Sequence, residues 1–129
     1  MIALDYGAAR TGVAISDATG TLARPLTVVE RAASEAGLRQ LAELVAAEGA
    51  ERIVVGLPLT LKGDHGAQAD ETARFVAALR AKVDVPVESF DERFTTALAA
   101  SSPSSRAPED ARAAAHLLES YLTWASGKA

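Results

Sequence analysis

The chain has 129 residues, 49% apolar and 23% charged, with a formal net charge of −4, which suits one water-soluble domain and argues against a broad basic face for indiscriminate nucleic-acid binding. Cysteine is absent, so disulfides, zinc ribbons, iron–sulfur clusters and thiol nucleophiles are excluded. No apolar run approaches the ~18 residues of a membrane span and no basic-then-apolar leader opens the chain, so a cytoplasmic protein without a membrane partner is expected.

The first seventeen residues, MIALDYGAARTGVAISD, read as a strand ending near Asp5, a glycine turn holding Arg10, and a second strand ending in Ser16-Asp17. Strand alternation puts Ile2 and Leu4 on one side and Ala3 and Asp5 on the other. Gly7 and Gly12 bracket Arg10 and suit a tight turn or a close backbone approach. Residues 22–29 read as a third strand, with Pro25 marking an edge or a bulge. Ser34 is the expected N-cap of a helix running to about Glu48 with Leu38, Leu41, Ala42 and Val45 inward, and Gly49 ends it.

The apolar run of residues 52–59 reads as a buried central strand, parallel to the first because a helix precedes it. Residues 61–68 form a glycine-bearing loop on its carboxyl end. A second helix is expected from Gln68 to Lys82, with Ala69, Ala73, Val76 and Leu79 inward. Residues 83–90 read as the last strand, closed by Asp91-Glu92-Arg93. Thr95 and Thr96 can cap a short Ala-rich helix. A Ser-rich loop follows, and Pro108 opens a final helix with Ala111, Ala114, Leu118, Tyr121 or Leu122, and Ala125 inward. The expected fold is α/β in one domain: a mixed five-stranded sheet, three antiparallel strands followed by parallel βα units, flanked by helices. Sites in such sheets lie outside the carboxyl ends of the parallel strands.

An Asp inside a short apolar strand needs donors, a cation or a metal, because an unpaired buried carboxylate is costly. Asp5, Asp91, Glu92 and Asp110 come from distant segments, and gathered together they would repel unless a cation neutralised them. Hard oxygen ligands suit Mg²⁺ or Mn²⁺. Two such ions ~4 Å apart activate water and stabilise the leaving oxygen of a phosphodiester. Arg10, Lys62 and Arg93 are candidates for a phosphate-contacting rim. Plainer readings stand beside these. Asp110 favours the positive end of a helix in any case, Asp91 and Glu92 can pair with Arg93, Asp5 can bond turn amides, and solvated arginines and lysines are common. His65 reads as loop polarity and His116, on a face with Arg112 and Glu119, as solvated. Residues 56–63 are not a Walker loop, since the G-x-x-x-x-G-K-[ST] spacing is absent.

Four segments in order resemble the YqgF/RuvX family of Holliday-junction-resolvase-like nucleases: LDYGAARTGVAISD, VVGLPLTLKGDHG, DERFTT and DARAAAHLLESYL. The resemblance spans nearly the whole chain. It implies an RNase H-like fold and a divalent-metal phosphodiesterase with Asp5, Glu92 and Asp110 as the acidic, metal-holding site, Asp91 beside them. Gly7, Arg10 and Gly12 match the opening motif, and Arg93, Thr95 and Thr96 the third; with Lys62 they are the expected substrate contacts. It also implies 5′-end maturation of pre-16S ribosomal RNA, making RNA a more expected substrate than DNA and the ribosome precursor an expected partner. Cleavage of four-way DNA is the alternative activity, and symmetric cutting would call for a homodimer where RNA processing is compatible with a monomer. One departure is the segment before Asp110, where Arg106 is the sole base between Ser101 and Asp110 and members commonly carry several; fewer phosphate contacts mean weaker binding. Two further readings compete: a non-catalytic binding module of the same fold, and a nucleotide-binding lobe of the actin and sugar-kinase kind, against which the single lobe's length counts.

Overall fold

The computed structural model describes residues 1–17, 22–57, 67–91 and 109–127. Five strands, β1 (Ile2–Asp5), β2 (Arg10–Ser16), β3 (Ala23–Glu30), β4 (Ile53–Leu57) and β5 (Val87–Asp91), and three helices, α1 (Glu35–Glu48), α2 (Ala67–Arg80) and α3 (Glu109–Gly127), follow the order β1-β2-β3-α1-β4-α2-β5-α3. The sheet order is β3-β2-β1-β4-β5. β1, β2 and β3 form the expected antiparallel meander, and β4 and β5 join β1 in parallel. The expected mixed sheet is therefore present. The register of β2 against β3 shifts between Val13 and Ala14, beside Pro25, which has no N–H to give the ladder.

Strand alternation sorts the core into two layers. Ile2, Leu4, Val13, Ile15, Ile53, Val55 and Val87 meet α1 and α2 on one face. Ala3, Ala14, Val54 and Phe90 meet α3 on the other. Each large apolar side chain so buried contributes roughly 1.5–3 kcal/mol. The α3 face is built from small residues where α3 begins: Ala114 and Ala115 pack with Ala14 and Ala3, and the buried Ala111 has its amide nitrogen over Gly12. Small side chains on both partners let the helix axis approach the sheet closely.

The ends of α1 are as the sequence predicts. The Ser34 hydroxyl accepts from the Gly37 N–H at 3.0 Å, and Gly49 closes the helix in the left-handed region at φ 63. Two expectations are corrected. In α2, Ala73 is exposed, while Thr72 and Phe75 join Ala69, Val76 and Leu79 on the buried stripe; the stripe turns to place Phe75 flat on Tyr6, ring centroids 4.4 Å apart. The last strand begins at Val87, not at residue 83. Pro86 just before it cannot donate, though its carbonyl still accepts from the Ile53 N–H at 2.9 Å. Among the described residues, no helix is long and apolar enough to cross a membrane.

Candidate nucleic-acid cleavage site

β1 ends in Asp5, and Asp5 pairs in register with Gly12 of β2. Directly opposed residues of an antiparallel pair present their side chains to the same face. That face is the α3 side, because Ala3, two residues before Asp5, and its partner Ala14 both pack there. Gly12 sits under the first turn of α3: a Cβ added to it would collide with the carbonyl of Asp110 and the amide nitrogen of Ala111. Asp5 and Asp110, 105 positions apart in the chain, thus flank the same glycine at the carboxyl end of β1. Both are half-buried.

Arg10 stands one ladder step beyond, two residues from Gly12 and so on the same face. Its Nε lies 3.3 Å from Asp110 Oδ2, with the two side chains 65% and 36% exposed. The turn that carries Arg10 is held from within. The Gly7 N–H donates to Thr11 Oγ1 and the Thr11 hydroxyl donates to the Gly7 carbonyl, each at 3.4 Å. Thr11 is fully buried. A Cβ on Gly7 would run into the Arg10 carbonyl. Sequence reasoning found Gly7, Arg10 and Gly12 but missed Thr11; its hydroxyl four residues after the glycine was the available signal. On the opposite face, Tyr6 donates to Glu71 Oε1 at 3.0 Å. Burial first, then this hydrogen bond, pushes the Tyr6 pKa up.

Asp5, Asp110, Arg10, Gly7 and Gly12 are therefore brought to one rim. Glu92, Arg93, Thr95, Thr96, Lys62 and His65 lie outside the described residues, as do the expected short Ala-rich helix and the Ser-rich segment. Asp91 ends β5, but its side chain is likewise outside the description. Among the described residues no three His, Cys, Asp or Glu side chains form a metal-ligand group; Asp5 and Asp110 supply two carboxylates. His116 is not solvated as expected. Its side chain is only 16% exposed, with Nδ1 4.0 Å from Glu119 Oε2.

A mixed sheet in this order, with an acid at the end of the first strand and another at the start of a helix lying across it, is an RNase H-like fold. The solved structure of Thermus thermophilus RuvC in complex with Holliday junction substrate has the same fold, at a TM-score of 0.66 and 15% identity over 100% of this chain and 98% of that one. The family model described as RuvX, Holliday junction resolvase, matches residues 1–124, and the chain belongs to that family. It is 50% identical over 99 residues (77% of this chain, 70% of the relative) to a Chloroflexus aggregans protein named "Putative pre-16S rRNA nuclease". A Moorella thermoacetica protein of the same name is 39% identical over 130 residues, covering 95% of this chain and 93% of its own. Membership places the chain among nucleases, which are hydrolases of phosphodiester bonds.

Proposed function

We propose that this chain is a divalent-metal-dependent nuclease that matures the 5′ end of pre-16S ribosomal RNA, with Asp5, Glu92 and Asp110 holding Mg²⁺ or Mn²⁺. The observation that carries the reading is the placement of Asp5 and Asp110 on either side of Gly12. Two carboxylates from distant segments, converging at the carboxyl end of a parallel strand, fit hard oxygen-preferring cations.

A divalent ion at this place supplies a water of lowered pKa and offsets charge on the phosphoryl oxygens. The chain's own residues set the rest. Asp5 and Asp110 provide the acceptor oxygens, on a backbone locked by strand pairing and by the helix seated on Gly12. Arg10 offers a planar guanidinium suited to two oxygens of a phosphate. The buried Thr11 keeps the Arg10 turn in one conformation. RNA is favoured by the names of both curated relatives, and the ribosome precursor would be the partner that presents it. Four-way DNA is the second reading, motivated by the junction-bound relative of the same fold; a homodimer would then be needed, whereas RNA processing is compatible with a monomer. The test is cleavage of precursor ribosomal RNA, single-stranded RNA and four-way DNA with and without Mn²⁺ or Mg²⁺, beside Asp5→Asn. Metal-dependent cutting lost in Asp5→Asn, with the fold intact by circular dichroism, is the expected result. Undiminished cutting by that variant removes the assignment.

A further inference from the structure

β3 ends in Glu30, opposite Arg10, and the next residue is Arg31. Arg31 has φ 47, the one non-glycine residue at positive φ among those described. An arginine gains nothing locally from this conformation, and such a backbone persists only where its surroundings hold it. Here they do. The Arg31 N–H donates to the Ala9 carbonyl at 3.0 Å, tying it to the turn that carries Arg10. Its carbonyl accepts from the Ser34 N–H at 2.9 Å and from the Ser34 hydroxyl at 2.7 Å. Its neighbour Ala32 is fully buried in the α1–α2 core. The backbone is thus clamped between the glycine turn and the start of α1, while the side chain is exposed. Among the described residues the Arg31 guanidinium has no hydrogen bond and no ion pair.

We propose that Arg31 is a second phosphate-binding arginine, held in the left-handed conformation so that its guanidinium stands beside Arg10 at the rim of the cleavage site. This rests on the nucleic-acid reading above. Arg31 lies two strands over from Asp5 and three residues past Val28, the β3 residue level with Gly12 and Asp5, so its backbone stands roughly 14 Å from that of Asp5 at the usual strand spacings. A guanidinium on a long side chain at that separation suits a phosphate further along the backbone than the one at the carboxylates. Arg10 is engaged by Asp110 and faces the exposed Glu30, so Arg31, unpaired among the described residues, supplies the rim with a cation that none of the described acids neutralises. In a chain of net charge −4, each such cation carries a large share of the backbone contacts. The contact is to phosphate and therefore independent of base sequence.

The test uses three substitutions that separate charge from strain. Arg31→Gln removes the charge and keeps the strain, Arg31→Gly removes both, and Arg31→Lys keeps both. Binding of a fluorescein-labelled hairpin RNA is measured by anisotropy from 25 to 250 mM KCl with Mg²⁺, in the Asp5→Asn background so that the probe survives. Gln and Gly are expected to weaken binding several-fold at low salt and to make the slope of log K against log salt shallower by about 0.7–0.9, the signature of one lost phosphate contact. Lys is expected to restore most of the slope. Gly is also expected to hold or raise the thermal midpoint, since glycine carries no Cβ penalty at this φ, so lost binding will not be lost folding. Gln and Gly variants that keep the parent's affinity and slope overturn the role of Arg31, while failure of the parent itself to bind RNA overturns it together with the nucleic-acid reading.

Discussion

Gly12 and Asp110 meet backbone to backbone, with no side chain between the second strand and the first turn of the last helix. This contact sets where Asp110 stands relative to Asp5, which is the strand partner of Gly12. Gly12→Ala puts a methyl into the Asp110 carbonyl. Neither neighbour is the end of a flexible side chain, so the helix must shift. Overpacking of this kind costs about 1–3 kcal/mol or more. Urea unfolding is expected to show that loss, and metal-dependent cleavage is expected to fall further than the loss of folded protein accounts for. A variant with wild-type stability and cleavage would mean the helix start does not set the site.

Asp110→Asn separates chemistry from stability. The Arg10–Asp110 pair is partly exposed, Arg10 more than Asp110, and pairs open to solvent contribute roughly 0–1 kcal/mol. The carboxylate also sits in the first turn of α3, where a negative charge contributes about 0.3–1 kcal/mol. The midpoint of urea unfolding should therefore shift only slightly. Cleavage should fall by about a hundredfold or more, ~2.7 kcal/mol of barrier, and raised Mn²⁺ should recover part of it. Cleavage within a fewfold of wild type would make Asp110 a helix-end charge and nothing else.

What the sequence disclosed and what it hid divide along a physical line. Period-two alternation placed Asp5 on the face away from Ile2 and Leu4, and the structure keeps it there. Ser34 and Gly49 mark the ends of α1 because capping is a local matter. Meeting points between distant segments were not legible. Nothing local says that Gly12 lies beneath Asp110; it follows from the fit of Ala3 and Ala14 against Ala114 and Ala115. The buried stripe of α2 was misplaced at Ala73 because Phe75 follows Tyr6, a partner 69 positions earlier. His116 was read from its helix neighbours alone, and its burial depends on packing that they do not show. Arg31 carries none of the usual signals of a left-handed residue, which favour Gly and Asn. Its conformation is imposed by Ala9 and Ser34.

The two buried tyrosines set an alkaline limit on stability. Burial leads the causes that raise both Tyr6 and Tyr121, and hydrogen bonds to Glu71 and Glu88 add to it. A folded-state pKa above the unfolded value of about 10 means the unfolded chain loses its proton first. The stabilising contribution is complete below that pH and is lost as pH rises through the folded-state pKa. Urea unfolding between pH 8 and 11 should show stability falling above about pH 10. Tyr6→Phe should flatten that fall, since Phe has no proton to lose. At pH 8 it should cost only about 1 kcal/mol, the hydrogen bond to Glu71, because the stack on Phe75 remains. An unchanged alkaline slope in Tyr6→Phe would assign the limit elsewhere.

Tyr121 provides the complementary case, a residue that holds the fold without serving the site. Its hydroxyl donates to Glu88 Oε2 at 3.0 Å and accepts from Arg52 Nη1 at 3.3 Å. Arg52 Nε in turn lies 3.3 Å from Glu88 Oε1. This closed triangle joins α3 to the amino end of β4, where the Ile2 N–H reaches the Arg52 carbonyl; Asp5 is at the other end of β1. Tyr121→Phe keeps the edge-on contact with Phe90, at 5.4 Å and 83°, and removes both hydrogen bonds. The expected cost is about 1–2 kcal/mol, read as a lower urea midpoint with an unchanged m value. The rate of metal-dependent cleavage per folded molecule should be that of wild type. A drop in kcat at temperatures where the variant is fully folded would mean that the Arg52–Glu88–Tyr121 triangle is coupled to the carboxylate site through α3, and would overturn the separation of the two ends of the sheet.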